Sequence, residues 1–153
     1  MAQPMPHPYR FRCVLRLLCA MVLLASASCS GSGPRMDVVP VKGKVMYRGK
    51  PVSGARVVLN RVAEATPLTD QEKAVFPYGT TGRDGTFQLT SYAPNDGAPA
   101  GRYNVSVIKQ VDGRVSDDRV NVLPARYANP QSSGLTAIVK APSTDLPDFE
   151  ITD

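Results

Sequence analysis

The sequence predicts an all-β domain, an antiparallel sandwich of about seven or eight short strands, that follows an amino-terminal export segment. Short runs of alternating apolar and polar residues recur from Val38 onward, and Gly, Pro, Asn or Asp separates them. The chain has 14 Pro and 12 Gly, as is typical of a protein with many turns. Beyond Val38 no stretch keeps apolar residues at helical spacing for three turns, which argues against a helical fold.

The first element is an export signal at residues 1–28. Arg10, Arg12 and Arg16 mark its basic part, an apolar run covers residues 14–25, and small residues follow. The run has about a dozen residues, whereas a helix needs about 20 to span a bilayer. A cleaved signal is therefore favoured over a permanent membrane helix.

Cys29 lies directly after the small residues, and this arrangement resembles the lipobox of bacterial lipoproteins, whose cysteine is acylated and becomes the first mature residue. A typical lipobox has Leu three residues before the cysteine; here Ser26 holds that position and Leu24 lies two residues earlier. The resemblance implies a lipid anchor at Cys29 and a location in the cell envelope, at the outer membrane or in the periplasm. Cleavage after Ala27 stays open, and it would leave Cys29 as a free thiol in an oxidising compartment.

Residues 29–37 are small and turn-rich, and they predict a flexible tether to a domain at residues 38–153. The domain has the usual size for one core, and it holds no disulfide because all three cysteines precede it. Three of the 18 Lys and Arg residues and none of the 13 acidic residues lie in residues 1–28, so the remainder carries a formal charge of only +2. That charge is not clustered, which excludes nucleic acid as an expected partner.

Alternation predicts the strands of the domain in chain order. The first two cover Val41–Tyr47 and residues 55–60, and we expect the turn at residues 48–51 to join them as a hairpin. A third strand, residues 86–90, follows the turn dipeptide Asp84-Gly85. Three further apolar faces complete the set: Tyr103, Val105 and Val107; Leu135, Ala137 and Val139; and Phe149 with Ile151.

Two polar segments interrupt the strands. Residues 63–77 form a long loop or one short helix over residues 69–75, with Thr69 or Asp70 as its cap. Residues 110–118 are similarly polar and have a turn signal at Asp112. Since long loops of sandwiches often bind ligands, recognition is expected at these two loops.

The ordered series of turns and strands resembles carboxypeptidase regulatory-like domains, which are small prealbumin-like (transthyretin-like) sandwiches. Residues 41–45 and 49–57 are similar to the opening hairpin of that family, residues 81–87 match its T-x-x-D-G-x-F stretch, and residues 98–105 resemble its P-x-G-x-Y-x-V strand. Residues 123–127 and 132–136 resemble a longer form found in small bacterial lipoproteins. The resemblance implies a prealbumin-like or Ig-like sandwich at the cell surface, and it implies no reaction.

The histidine content argues against catalysis. The single histidine, His7, lies in the export segment, so the domain has no imidazole for a catalytic triad, a zinc site or a general base near neutral pH. The transthyretin-related ureide hydrolases end in a Tyr-Arg-Gly-Ser motif, and this chain ends Phe149-Glu150-Ile151-Thr152-Asp153. We expect a non-enzymatic protein without a cofactor; an unrecognised small hydrolase with a Ser–Lys or carboxylate pair stays open as an alternative.

Loop acids and loop tyrosines are the candidate ligand-binding groups. The acids could supply oxygens to calcium, but no EF-hand spacing is present, so we expect turn roles for them and no bound metal. Tyr92 and Tyr127 are the candidate ligand-binding residues, with Tyr78 as a third tyrosine outside the clearest strands. The expected function is binding or structural support in the envelope, with the membrane, an envelope protein or a glycan as partner; a soluble periplasmic carbohydrate-binding module is the alternative. The loop acids in question are Asp84, Asp96, Asp112, Asp117 and Asp118.

Overall fold

The computed structural model describes residues 35–112 and 119–153, and it confirms the predicted all-β sandwich. Thirteen short strands lie in these ranges, with one turn of α-helix, α1 (Asp70–Ala74), and one 3₁₀ turn (Ala125–Ala128). Residues 1–34, which include the predicted export segment, His7 and Cys29, lie outside the described residues, as do Asp117 and Asp118. The strands are β1 (Val38–Val39), β2 (Val41–Tyr47), β3 (Lys50–Pro51), β4 (Arg56–Arg61), β5 (Tyr78–Thr80), β6 (Thr86–Gln88), β7 (Ala98–Pro99), β8 (Gly101–Ile108), β9 (Gln110–Asp112), β10 (Arg119–Asn121), β11 (Thr136–Val139), β12 (Thr144–Asp145) and β13 (Phe149–Ile151).

Two main sheets form the layers of the sandwich. The four-stranded sheet has the order β11-β8-β4-β5, and all its neighbours are antiparallel. The second sheet is built around β2, which pairs with β3 and β6 along one edge and with β12 and β13 along the other. Two small ladders, β1 with β7 and β9 with β10, extend the fold.

The predicted hairpin between residues 41–47 and 55–60 is wrong, because β2 and β4 lie in different sheets. Arg48 and Gly49 both have positive φ, 50° and 72°, and they form a two-residue turn that pairs Tyr47 with Lys50. The Val52 N–H donates to the Val45 carbonyl at 3.0 Å, which extends this ladder by one bond, and the chain then crosses to the other sheet. Alternation identifies both strands correctly, but it carries no information about their partners.

The sheet around β2 is also not purely antiparallel. Both β12 and β13 run parallel to β2, with Phe149 opposite Val45 and Ile151 opposite Tyr47. The chain reaches this edge after crossing over from β11 in the other sheet, which allows it to run in the same direction as β2. The burial of Phe149 and Ile151 is as predicted, since the side-chain alternation of a strand is independent of its neighbour's direction.

The core lies between the two sheets and contains the residues that alternation selects. Phe87 and Val105 are 3% and 0% exposed, and Leu89 and Tyr103 are buried with them. The ring of Phe87 stacks on that of Phe149 with centroids 6.2 Å apart. Gly43 lies against the Phe87 ring, and a Cβ at Gly43 would come within 2.7 Å of Phe87 Cζ. Gly43 therefore makes room in β2 for an aromatic ring.

The predicted cap of the short helix is confirmed. Thr69 precedes α1, and its Oγ1 accepts the backbone N–H of Glu72 at 3.3 Å. The Glu72 carboxylate in return accepts the Thr69 N–H at 2.9 Å, which completes a capping box. These bonds from the Thr69 backbone and hydroxyl hold the pKa of Glu72 below its usual value.

The turn roles of Asp84 and Asp96 are confirmed as well. Asp84 accepts the Thr86 N–H at 3.1 Å and the Thr86 hydroxyl at 2.8 Å. Asp96 accepts three backbone N–H groups, from residues 91, 92 and 93, at 2.7–3.0 Å. Burial raises the pKa of Asp96, but these donors together outweigh it and the pKa lies below its usual value.

A candidate binding face on the four-stranded sheet

One face of the four-stranded sheet packs on the core, and most of the opposite face is partly or fully exposed, with the buried Ser106 as an exception. In β4, Val57 and Leu59 are fully buried, so Arg56, Val58 and Asn60 point away from the core. We call the open surface the outer face; it comprises Arg56, Val58, Asn60, Phe76, Tyr78, Arg102, Asn104, Thr136 and Ile138.

The register of the strands arranges polar side chains in a row across the outer face. Asn60 lies opposite Asn104, and Asn104 lies opposite Thr136. Side chains directly opposite each other on one face of a sheet are about 4.5–5.5 Å apart at Cβ. The row therefore presents two amides and one hydroxyl close together.

Two aromatic rings lie at the β5 edge of this row. Phe76 is 54% exposed and Tyr78 is 38% exposed, whereas Pro77 between them is buried. The Leu59 N–H donates to the Pro77 carbonyl at 2.8 Å, which extends the pairing of β4 with β5 and places Phe76 beside Asn60. Exposed aromatic rings beside hydrogen-bonding amides are typical of recognition surfaces.

An arginine orients the ring of Tyr78. The guanidinium carbon of Arg56 lies 4.4 Å from the centroid of this ring, within the range of a cation–π contact. Each of the other four tyrosines in the described ranges also has an arginine guanidinium carbon within 5.7 Å of its ring centroid. Only Tyr78 among these tyrosines belongs to the large exposed apolar side chains of this part of the chain.

A groove crosses the other end of the outer face. Its walls are residues 62–64 and residues 136–138, with Arg102 and Asn104 between them, and it encloses about 490 Å³. Ile138 on one wall is 49% exposed, and Glu64 on the other faces Arg102 at 4.0 Å. This volume lies within the ~300–1,000 Å³ range of small-molecule sites.

The chemistry of the outer face is that of binding. Its amides and hydroxyl can donate and accept hydrogen bonds, its rings offer apolar surface, and its charges are two arginines, with Glu64 on the wall of the adjoining groove. Among residues 35–112 and 119–153, no three His, Cys, Asp or Glu side chains gather closely enough to hold a metal ion. A neutral or weakly anionic polar ligand fits this surface best.

The two tyrosines singled out from the sequence lie elsewhere. Tyr92 is half-buried, and its hydroxyl accepts the Met36 N–H at 3.2 Å. Tyr127 is 3% exposed in the 3₁₀ turn, where its hydroxyl accepts the Thr152 N–H at 3.0 Å and an N–H of Arg126 at 2.8 Å. Burial raises the pKa of Tyr127, but its donors from Thr152 and Arg126 bring the pKa below the usual value. Neither ring belongs to the outer face.

Sequence reasoning missed Phe76, Asn60 and Asn104. Asn60 and Asn104 occupy outward positions of predicted strands, so alternation places them on the solvent side. Only the register between β4 and β8, which alternation does not give, brings them side by side. Phe76 lies in the segment 63–77, where alternation is absent, and its proximity to Tyr78 was the available signal. The expectation of recognition at residues 63–77 and 110–118 stays a prediction.

Comparison with known proteins adds little to these observations. No family model and no curated protein matches the sequence. A 9R-lipoxygenase from Cyanothece PCC8801 is 14% identical with a TM-score of 0.41, over 90% of this chain and 20% of that one. A putative carbohydrate binding protein from Pseudomonas aeruginosa is 11% identical with a TM-score of 0.39, over 80% and 92% of the two chains. A DUF3823 family protein from Parabacteroides merdae is 14% identical with a TM-score of 0.37, and the match covers 76% of this chain and 46% of that one. Likeness at this level assigns neither a family nor a function.

Proposed function

We propose that this protein is exported, anchored by a lipid on Cys29, and serves as a non-catalytic binding domain in the cell envelope. The observation that carries the proposal is the order of parts: a basic and apolar leader, a cysteine after small residues, a short tether, and a complete sandwich. Among the described residues no helix is long and apolar enough to cross a bilayer.

The outer face supports a binding role for the domain. It combines the exposed rings of Phe76 and Tyr78 with the amides of Asn60 and Asn104 on a rigid sheet. The sole histidine of the sequence, His7, lies in the leader, so the domain has no imidazole for acid–base catalysis near neutral pH. These features support the proposal that the domain holds a ligand at the outer face.

Incorporation of labelled palmitate tests the anchor. The wild-type chain, expressed in a bacterium that is fed the label, should incorporate it, and Cys29→Ser should not. Cys19→Ser is the matched control, because it removes a thiol from the apolar run and leaves the processing site intact; it should label like the wild type. Equal label in the wild type and Cys29→Ser, or none in either, would contradict the anchor.

A soluble periplasmic carbohydrate-binding module is the second candidate, and the outer face favours its ligand class. Sugar rings present apolar C–H faces to aromatic rings and hydroxyls to amides, and Tyr78 and Asn60 offer both kinds of partner in adjacent rows. A glycan array with the wild type and Tyr78→Ala tests this candidate. Specific glycan signals that disappear with Tyr78→Ala and persist with Tyr92→Ala would support it, and a blank array would contradict it.

A further inference from the structure

A second groove lies at the end of β2 opposite to β1, away from the outer face. It is lined by Val52, Val122 and Leu123 on its apolar side and has a volume of about 400 Å³. Val122 is 45% exposed, although the other two are nearly buried. The groove thus offers an apolar surface that the described chain leaves open.

Three cations line the same groove, Arg48, Lys50 and Lys109. Hydrogen bonds fix the backbone at Lys109: its N–H donates to Asn121 Oδ1 at 3.1 Å, and its carbonyl accepts the Val122 N–H at 2.9 Å. An occupant that covers Val122 would therefore meet positive charge at the rim, and an anionic group would be favoured.

One of these cations, Arg48, already binds a carboxylate. Asp153 accepts the Tyr47 hydroxyl at 2.6 Å and the Arg48 Nε–H at 2.8 Å, with a further bond from Arg48 Nη2. The carboxylate is thus held from one side by a phenol and from the other by a guanidinium. The bonds from Tyr47 and Arg48 hold the pKa of Asp153 below its usual value, so it is ionised at neutral pH.

This internal carboxylate can be exchanged for another. The side chains of Arg48 and Asp153 are 67% and 57% exposed, and ion pairs between exposed side chains contribute little free energy. Arg48 belongs both to this pair and to the lining of the groove. A competing carboxylate can therefore bind Arg48 while its remainder lies in the groove.

We propose that the groove binds a carboxylate attached to a linear apolar chain, a ligand of the fatty-acid class, with Asp153 as its internal competitor. The carboxylate contacts Arg48 and Tyr47, and the chain covers Val52 and Val122. Lys50 and Lys109 attract the anion over a longer range, so the affinity falls as salt is added. This site is separate from the outer face and does not depend on the proposed anchor.

Titration with octanoate, followed by amide NMR shifts of Val52 and Lys109, tests the proposal. The full chain carries Cys29→Ser in all samples so that no detergent is needed. Octanoate should shift both amides, whereas 1-octanol, which lacks the charge, and acetate, which lacks the chain, should bind at least about tenfold more weakly. Equal binding of octanol or of acetate would overturn the proposal.

Substitutions then separate the two parts of the site. Asp153→Asn should tighten octanoate binding about two- to fivefold, the equivalent of one exposed ion pair. Arg48→Gln should weaken it about tenfold, and Arg102→Gln, a matched arginine on the outer face, should leave it unchanged. Val122→Ser keeps every charge, so it should weaken the binding of octanoate and leave the binding of acetate unchanged. An unchanged affinity in Arg48→Gln, or the same loss in Arg102→Gln, would contradict the site.

Discussion

Replacing Phe87 with Ala should destabilise the domain by about 4 kcal/mol. Emptying a buried aromatic site costs about 3–5 kcal/mol in general, with the larger losses where the surroundings cannot collapse. Phe87 is 3% exposed, the ring of Phe149 is stacked on it at 6.2 Å, and the backbone of Gly43 closes the site from β2. These neighbours belong to paired strands, so the cavity should remain, and the aromatic pair is lost in addition.

Urea unfolding followed by far-ultraviolet circular dichroism measures this loss as a change of midpoint at constant slope. Phe76→Ala is the matched control, because it removes the same side chain from a site that is 54% exposed, and it should cost under about 1 kcal/mol. A loss under about 1 kcal/mol for Phe87→Ala, or equal losses for the two variants, would refute the assignment of the core face.

Three further outcomes are expected. Gly97→Ala should lower the free energy of unfolding by more than about 2 kcal/mol, because φ is 102° and a Cβ would lie 1.8 Å from the Val39 carbonyl oxygen. Gly49→Ala is the control, since φ is 72° but the space around a Cβ is open, and it should cost about 1 kcal/mol. Thermal melting compares the two variants. The pKa of Asp96 is lower in the folded state than in the unfolded chain. Its contribution to stability is therefore present above the ordinary carboxyl pKa of about 3.9 and is lost as the pH falls through the folded-state pKa. Asp96→Ala should remove that part of the acid dependence of the melting temperature. Chelator and reductant should leave the melting temperature of the wild type unchanged, and a rise of several degrees with calcium would overturn the turn roles of the loop acids.

Local structure was predictable where one short-range rule decides it. Alternation selects the buried residues of Val41–Tyr47, and in Gly101–Ile108 it selects Tyr103, Val105 and Val107, because successive side chains of a strand point to opposite faces. Ser106 is the exception, since it lies on the other face and is also buried. The capping box at Thr69 follows from side-chain and backbone chemistry within four residues.

Pairing between strands was not predictable in the same way. Whether β2 pairs with β4 or with β13 depends on the crossing of the chain between sheets, and no local pattern encodes that crossing. The outer face illustrates the consequence: Asn60 and Asn104 are 44 positions apart, and only the register of β4 and β8 makes them neighbours. The carboxylate contact of Tyr47 and Arg48 with Asp153 likewise depends on the parallel pairing of β13 with β2.

The intact mass of the protein purified from the membranes of its expression host tests most directly the claim that a binding sandwich is held in the envelope through Cys29. The account predicts a chain that begins at Cys29 and exceeds the mass of its polypeptide by an acylated glyceryl group, whereas Cys29→Ser is recovered from the soluble fraction without that increment. An unmodified wild-type chain that begins at Ser28, as cleavage after Ala27 would produce, would contradict the claim.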